Sequence, residues 1–185
     1  MKILGIAGSL REGSYNGLLL RAAAELLPEG VELEIWRGLK AVPPFDEDDE
    51  RGPVAAAVAE LRDAIARADA VLVATPEYNG SVPGQLKNAL DWASRPHATH
   101  VLRNKPVAVV GASPGGFGAV WAQADLRRIL ARIGARVVDL EVPVAHAHTR
   151  FDDGGRLVDA DVAAQLGNVV DALVDAAHAR ELVAA

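Results

Sequence analysis

The strand that decides the fold is Ala70-Val71-Leu72-Val73-Ala74-Thr75, followed by Pro76. Its six residues carry no charge, and the proline after them ends the strand because it cannot donate a ladder hydrogen bond. Ile3–Ala7 and Pro106–Ala112 have the same uniformly apolar character. Strands that are apolar on both faces are typical of a parallel sheet with helices packed on each side.

Helical and extended patterns alternate on both sides of this strand. Residues 31–35 alternate between apolar and acidic side chains, and the apolar residues of 137–142 form a fifth strand. Apolar residues recur at helical spacing over 18–27, 54–65, 86–93, 126–133 and 162–174. Five strands that alternate with five helices predict one doubly wound α/β domain over residues 1–185. Its parallel sheet is predicted to have five strands in the order 2-1-3-4-5.

The composition excludes several classes of function. The 185 residues contain no cysteine, which excludes disulfide exchange, thiolate catalysis, cysteine-ligated zinc and iron–sulfur clusters. A net charge of −6 disfavours a surface for duplex nucleic acid or anionic membranes. The first apolar run is too short for a secretory signal, and no stretch approaches the roughly 20 apolar residues of a membrane span. We therefore expect a cytoplasmic protein without a nucleic-acid partner.

The segment after the first strand has the composition of an anion-binding loop. This segment, loop A (residues 8–16), is Gly8-Ser9-Leu10-Arg11-Glu12-Gly13-Ser14-Tyr15-Asn16. Glycines, hydroxyls and one arginine at a helix N-terminus suit a phosphate group. Ser14 stands where a Walker A motif has lysine, and Leu10 replaces the second glycine of the dinucleotide fingerprint. A polar turn that caps the helix is the alternative.

Two further loops follow strands at the same edge of the predicted sheet. Loop B (residues 75–81) contains Asn79-Gly80, which tolerates positive φ at both positions of a turn. Its backbone could contact a flat heterocycle such as a flavin or a base. Loop C (residues 113–118) is rich in glycine, so a planar ligand could approach its backbone closely. A well-formed turn and a flexible connector are the alternatives, but three such loops at one sheet edge favour a ligand site.

Loop A, residues 76–81 and the segment Leu86-Lys87-Asn88-Ala89-Leu90-Asp91-Trp92 together resemble the NADPH-dependent FMN reductase family. This family includes quinone, chromate and azo-dye reductases. The resemblance covers nearly the whole chain and thins after about residue 145. It implies a flavodoxin-like three-layer sandwich, so that residues 1–185 would form a single flavodoxin-like FMN-binding domain. In relatives loop C often ends in a Gly-Gly pair, whereas this sequence has Gly118-Ala119.

The resemblance also implies the chemistry. FMN would be the cofactor and NADPH, or NADH, the co-substrate, with electrons passing to a small acceptor such as a quinone, a flavin, an azo compound or chromate. Family members form homodimers or homotetramers that cover the flavin. The residues implied in FMN binding are Ser9, Arg11, Gly13, Ser14, Tyr15, Asn16, Pro76, Glu77, Tyr78, Asn79, Gly80, Ser113 and Gly115.

No catalytic side chain and no metal site are predicted. Hydride transfer needs no acid or base from the protein, because the cofactor supplies the difficult chemistry. His146 and His148 would share one face of an extended segment, but they lack a third ligand. Two other functions stay open at this point: a flavodoxin-like electron carrier without efficient NADPH turnover, and a non-redox module that binds a phosphorylated ligand.

Overall fold

The computed structural model describes residues 1–184, which form six strands and five α-helices. The strands are β1 (Lys2–Ala7), β2 (Glu32–Trp36), β3 (Ala70–Thr75), β4 (Pro106–Ala112), β5 (Arg136–Val137) and β6 (Pro143–Val144). The helices are α1 (Tyr15–Glu25), α2 (Ala56–Arg67), α3 (Gly84–Ala93), α4 (Val120–Ile133) and α5 (Ala160–Ala184). Short 3₁₀ turns lie at Gly38–Ala41, Asp48–Arg51 and Ala147–Thr149.

The strands form one parallel sheet in the order β2-β1-β3-β4-β5, which confirms the predicted topology. β1 lies between β2 and β3, with Gly5 opposite Ile35 on one side and Leu72 on the other. β3 then pairs with β4, so that Thr75 lies opposite Gly111. The carboxyl ends of β1, β3 and β4 are therefore neighbours, and each leads into one of the three loops.

Alternate residues of the central strands pack into two separate cores. Leu72 and Val110 face the core that contains the inner faces of α1 and α5. Val71 and Val109 face the core formed with α2, α3 and α4. Because both faces of β3 and β4 are buried, every residue of these strands is apolar or small, as the sequence indicated.

The predicted fifth strand is divided into β5 and β6, both of which pair with β4. Between the two pairings the outer strand carries two residues more than β4, so it bulges away from the sheet. Asp139 and Glu141 lie on this bulge, and both form ion pairs with Arg127 of α4, at 2.9 Å for Glu141. The prediction of one continuous strand over 137–142 was wrong, because the two extra residues interrupt the pairing with β4.

Candidate functional site

Loop A presents backbone N–H groups without partners at the N-terminus of α1. Ser14 is the N-cap, and its Oγ accepts a hydrogen bond from the Gly17 N–H at 3.1 Å. Within the described chain, the N–H groups of Glu12, Gly13 and Tyr15 donate to no other group. Gly13 has a φ of +65°, a conformation that favours glycine. Free donors at a positive helix terminus form an anion-binding site.

Loop A itself carries one arginine and one aromatic side chain. The Arg11 guanidinium lies 5.7 Å from the centre of the Tyr15 ring, which itself stacks on Phe151 at 6.1 Å. The Ser9 hydroxyl accepts a 3.4 Å hydrogen bond from the Arg11 N–H. Arg11 is exposed and forms no ion pair with the side chains described, those of residues 1–180. Its charge is therefore available to an anion at loop A.

Asn16 ties loop A to the end of β4. Its side-chain amide donates to the Ala112 carbonyl at 3.0 Å and accepts from the Ala112 N–H at 2.9 Å. The side chain is buried, with 3% of its surface exposed. The side chain thus links loop A to the start of loop C.

Loop B ends in the predicted turn and is bound to α4. Asn79 and Gly80 have φ of +53° and +75°, and Tyr78 and Ser81 exchange two backbone hydrogen bonds across them at 3.1 and 3.2 Å. The prediction of positive φ at both positions is confirmed. Pro76 is buried before this turn, whereas Tyr78 is half exposed.

Two carboxylates join loop B to α4. The Glu77 carboxylate accepts from the backbone N–H groups of Trp121 and Ala122, both at 3.1 Å. The α4 N-cap residue has no side-chain cap of its own, so Glu77 takes that role. The second carboxylate belongs to Asp125 of α4, which accepts a hydrogen bond from the Ser81 hydroxyl of loop B at 2.8 Å. This bond, together with Arg128, holds the pKa of Asp125 below its usual value.

Loop C is packed against β6 and the turn that follows it. Ser113 donates its N–H to the Val144 carbonyl at 3.0 Å, and its Oγ accepts from the Gly115 N–H at 3.1 Å. The Gly115 carbonyl accepts from the His146 N–H at 3.0 Å. Gly118 has a φ of +59°, and a side chain there would overlap the Pro143 carbonyl. Loop C is therefore a fixed segment and not a flexible connector.

Gln123 is a supporting residue that the sequence analysis missed. It is fully buried on the inner face of α4, where its Nε2 donates to the Gly118 carbonyl at 3.0 Å. Its Oε1 accepts from the Val142 N–H at 3.2 Å. The one signal in the sequence is an amide on a helix face that is otherwise lined by apolar residues such as Leu126 and Leu130. Such a buried polar group must find partners, because an unpaired one is costly.

Helix α3 anchors the segment after β2. Gln85 donates to the carbonyls of Leu39 and Val42, both at 2.8 Å. Asn88 and Trp92 donate to the Pro43 carbonyl at 2.8 and 3.0 Å. These polar groups of α3 fix residues 38–45 beside loop A.

The thirteen predicted residues lie on three loops at one edge of the sheet. Gly8 donates to the Ala74 carbonyl at 2.8 Å, which joins loops A and B, and Asn16 joins loops A and C. A cavity of about 350 Å³ lies between loop A, α1 and the end of β2. Its lining includes Ser9, Arg11, Gly13 and Ser14 but no residue of loops B or C.

His146 and His148 lie at a 3₁₀ turn after β6. His146 has a φ of +50° at the start of this turn, so the two histidines are not placed on one face of an extended segment. The two rings lie 6.3 Å apart, edge to face. Among the side chains that the structure describes, up to residue 180, no group of three or more histidines, aspartates or glutamates could hold a metal ion. In the same part of the chain, no helix has the length and apolar character needed to cross a bilayer.

The known proteins that resemble this chain include reductases. Residues 1–149 match the model of the NADPH-dependent FMN reductase family. An NAD(P)H-dependent FMN reductase of Pseudomonas aeruginosa is 44% identical over 160 residues, which cover 86% of this chain and 85% of the relative. A 2-hydroxy-1,4-benzoquinone reductase of a Burkholderia species is 37% identical, with 92% and 93% covered. The solved flavoenzyme NAD(P)H:(acceptor) oxidoreductase of Paracoccus denitrificans superposes with a TM-score of 0.82 at 35% identity, covering 96% and 97%.

The strand order and the anion-binding loop at the end of β1 define a flavodoxin-like α/β protein. Within that class, the chain belongs to the NADPH-dependent FMN reductase family, whose members are oxidoreductases that use FMN and NAD(P)H. The resemblance seen in loops A and B is thereby confirmed.

Proposed function

We propose that this protein transfers reducing equivalents from NADPH or NADH, through bound FMN, to a small acceptor such as a quinone, a flavin, an azo compound or chromate. When bound, FMN supplies the hydride-accepting and electron-donating chemistry. The observation that carries the proposal is the set of unpartnered N–H groups of loop A beside Arg11. The names of the relatives, which specify FMN and quinones, support the same assignment.

The donor set of loop A fits a phosphate dianion. We assign the FMN phosphate to the backbone N–H groups of residues 12–16, the hydroxyls of Ser9 and Ser14, and the Arg11 guanidinium. The Ser14 hydroxyl accepts from the Gly17 N–H, which leaves its proton free to donate to a phosphate oxygen. Tyr15 supports Arg11, and Asn16 contributes its backbone N–H while its side chain holds Ala112.

Loops B and C would hold the flavin ring. Pro76, Tyr78, Asn79 and Gly80 would contact one part through their backbone, with Glu77 keeping loop B in place. Ser113 and Gly115 would contact the other side. Preorganised N–H donors at such a site stabilise negative charge that develops on a reduced ring. We assign no acid or base role to any side chain.

We also propose that residues 1–185 act as one FMN-binding domain within a cytoplasmic homodimer or homotetramer. Three aromatic side chains near loops B and C are at least half exposed: Tyr78 at 52%, Phe117 at 66% and Trp121 at 50%. Phe117 and Trp121 lie 4.8 Å apart, so they form a contiguous apolar patch. A neighbouring subunit would cover this patch and the flavin edge. Light scattering that gives a monomer at all concentrations would contradict this assembly.

Steady-state oxidation of NADPH with a benzoquinone tests the proposed reaction. We expect sustained turnover by the FMN-loaded protein alone. A flavodoxin-like electron carrier would instead bind FMN and show negligible turnover without a partner reductase. That result would overturn the proposed reductase activity while leaving the FMN site intact.

A further inference from the structure

The N-termini of α1 and α4 lie at the same edge of the sheet but differ in what they hold. α1 follows β1 and α4 follows β4, so both helices begin beyond the carboxyl ends of their strands. Within the described residues, loop A leaves N–H groups free at the start of α1. At the start of α4, one oxygen of the Glu77 carboxylate, Oε2, accepts from the N–H groups of Trp121 and Ala122, both at 3.1 Å. The anion position of α4 is therefore filled by a side chain of loop B.

This carboxylate lies in a loop assigned to the flavin ring, where it can act on the electron acceptor. On the basis of the function proposed above, we propose that Glu77 is a specificity-determining residue that disfavours anionic acceptors. Chromate and sulfonated quinones or azo compounds are such anions, whereas simple quinones carry no charge. Specificity then arises from repulsion of one class of acceptor and not from new attraction to the other.

The charge of Glu77 has no cationic partner. Up to residue 180, where the described side chains end, no lysine, arginine or histidine forms an ion pair with it. Its Oε1 accepts no hydrogen bond from a described residue, and the partners of Oε2 are uncharged backbone groups. A helix N-terminus carries about half a positive charge, so about half a negative charge remains at this point. Without Glu77 the same point would be positive.

The surrounding segments add no cation. Loop B, loop C and residues 119–126 contain two carboxylates, those of Glu77 and Asp125, but no lysine or arginine. Asp125 is partly compensated, because Arg128 donates to it at 3.2 Å. The one arginine in the three loops is Arg11, at the phosphate end of the site. The end assigned to the flavin ring is therefore negative, whereas the phosphate end offers a cation and N–H donors.

Loop B holds this charge in a fixed place. Tyr78 and Ser81 exchange two backbone hydrogen bonds, at 3.1 and 3.2 Å, which close the turn after Glu77. The Ser81 hydroxyl donates to Asp125 at 2.8 Å, so loop B contacts α4 on both sides of the turn. Glu77 itself is half-buried. A charge that is fixed and partly removed from water is screened less than a mobile charge on the surface.

An acceptor must approach this charge in order to react. Pro76 and Tyr78, the residues on either side of Glu77, are among those assigned to the flavin ring. Reacting atoms must come within about 3–3.5 Å, so an acceptor lies directly on the ring. A negative charge on the acceptor is then placed near that of Glu77, and its binding is weakened. An uncharged acceptor does not experience this repulsion.

Calorimetry on the FMN-loaded full-length protein tests the proposal without turnover. The probes are 2-naphthol and 2-naphthalenesulfonate at about pH 7, where only the second is an anion. In Glu77→Gln, the preference for the sulfonate over the naphthol should rise about tenfold relative to the wild type. In Glu77→Ala it should rise at least as much, because this change also frees two N–H groups of α4. The control Glu60→Gln, an equal change of net charge on the exposed side of α2, should keep the wild-type preference.

Turnover gives a second readout. With NADPH as donor, kcat/KM is measured for 1,4-naphthoquinone-2-sulfonate and for 1,4-naphthoquinone, and the ratio of the two values is compared. In the wild type this ratio should rise as KCl increases from about 20 to about 300 mM, because salt screens the repulsion. In Glu77→Gln it should be about tenfold higher at low salt and depend less on salt. A role in capping alone would lower both rates together and leave the ratio unchanged.

Two results would overturn the assignment. One is an unchanged preference of Glu77→Gln within either pair of compounds. The other is an equal change in Glu60→Gln, which would trace the effect to net charge and not to the position of Glu77. Failure of the proposed function is seen separately, since the wild type would then bind no FMN or would reduce neither quinone with NADPH or NADH.

Discussion

Asn16 and Ala112 are joined by two hydrogen bonds, of 3.0 and 2.9 Å, across a sequence separation of 96 residues. One bond uses the carbonyl and the other the N–H of Ala112, so the asparagine satisfies the end of β4 as a further strand would. The pair fixes the start of α1 against the point where loop C begins. The phosphate loop and the ring-binding loop are thereby held in one arrangement by a single buried side chain.

Replacement of Asn16 by alanine should destabilise the fold and weaken FMN binding. The variant leaves the N–H and carbonyl of Ala112 buried without partners, at a cost of about 2–4 kcal/mol. Urea unfolding measures this loss, and fluorescence titration measures FMN affinity. Asn168→Ala, at an exposed position of α5, is the control and should change the free energy of unfolding by less than about 0.5 kcal/mol. Equal stability of the two variants would contradict the role of Asn16.

Loss of the Glu77 carboxylate should loosen loop B. Glu77→Ala removes the cap of α4 and its favourable charge at the helix N-terminus, so we expect a loss of about 1–2 kcal/mol. Glu77→Gln keeps an acceptor oxygen and should lose less. Denaturant unfolding distinguishes the two, with Glu60→Ala on the exposed side of α2 as control. If glutamine and alanine at position 77 are both neutral, the contact with Trp121 and Ala122 has no energetic role.

These two contacts show where prediction from sequence ended. The uniformly apolar strands predicted a parallel sheet covered by helices on both sides, and the doubly wound class to which such a sheet belongs supplied the strand order. The Asn79-Gly80 turn was equally predictable, since few residue pairs tolerate positive φ at both positions. Nothing in the local sequence of Asn16 or Glu77 identifies Ala112 or α4 as the partner. Those partners exist only after the sheet has brought distant segments together.

The Arg11 guanidinium should contribute to FMN affinity without contributing to stability. The side chain is exposed, so Arg11→Ala should leave the free energy of unfolding within about 0.5 kcal/mol of the wild type. The FMN dissociation constant should rise about tenfold or more, because a charge-assisted hydrogen bond to phosphate is lost. The FMN dissociation constant of Arg11→Lys should lie between those of the wild type and Arg11→Ala, since lysine keeps the charge but lacks the planar guanidinium. An unchanged dissociation constant for Arg11→Ala would remove Arg11 from the site.

Lys105 should make stability depend on alkaline pH. It is 2% exposed, and its ammonium donates to the carbonyls of Ala66 and Ala68 at the end of α2. Burial lowers its pKa from 10.5 to about 8; nearby Arg180 also lowers it and Asp69 partly offsets the effect. Between these pH values the unfolded chain binds more protons, so the free energy of unfolding rises with pH.

The variant Lys105→Met isolates this effect, since methionine fills a similar volume without titrating. Between pH 8 and pH 10.5, the free energy of unfolding of the wild type should rise by up to about 3 kcal/mol relative to that of Lys105→Met. Urea unfolding at several pH values measures the difference. Parallel pH profiles of the two proteins would show that Lys105 is not the titrating group.

The cavity beside loop A illustrates a second limit of prediction from sequence. Three of the residues that line it, Arg11, Arg37 and Lys40, are far apart or outside any motif: Arg11 and Arg37 lie 26 positions apart, and Lys40 lies in a short turn after β2. Their convergence depends on β2 lying beside β1 and on Gln85 of α3 holding the 38–41 turn. The division of the fifth strand has a similar origin, because its two extra residues appear only in the register of the outer strand against β4.

The central claim is that these loops bind an FMN that NADPH reduces. The most direct measurement is the absorption spectrum of the FMN-loaded protein without air, recorded before and after addition of NADPH and again after addition of a quinone. The visible flavin band should disappear with NADPH and return with the quinone. A protein that binds no FMN, or whose bound FMN stays oxidised with both NADPH and NADH, would contradict the account.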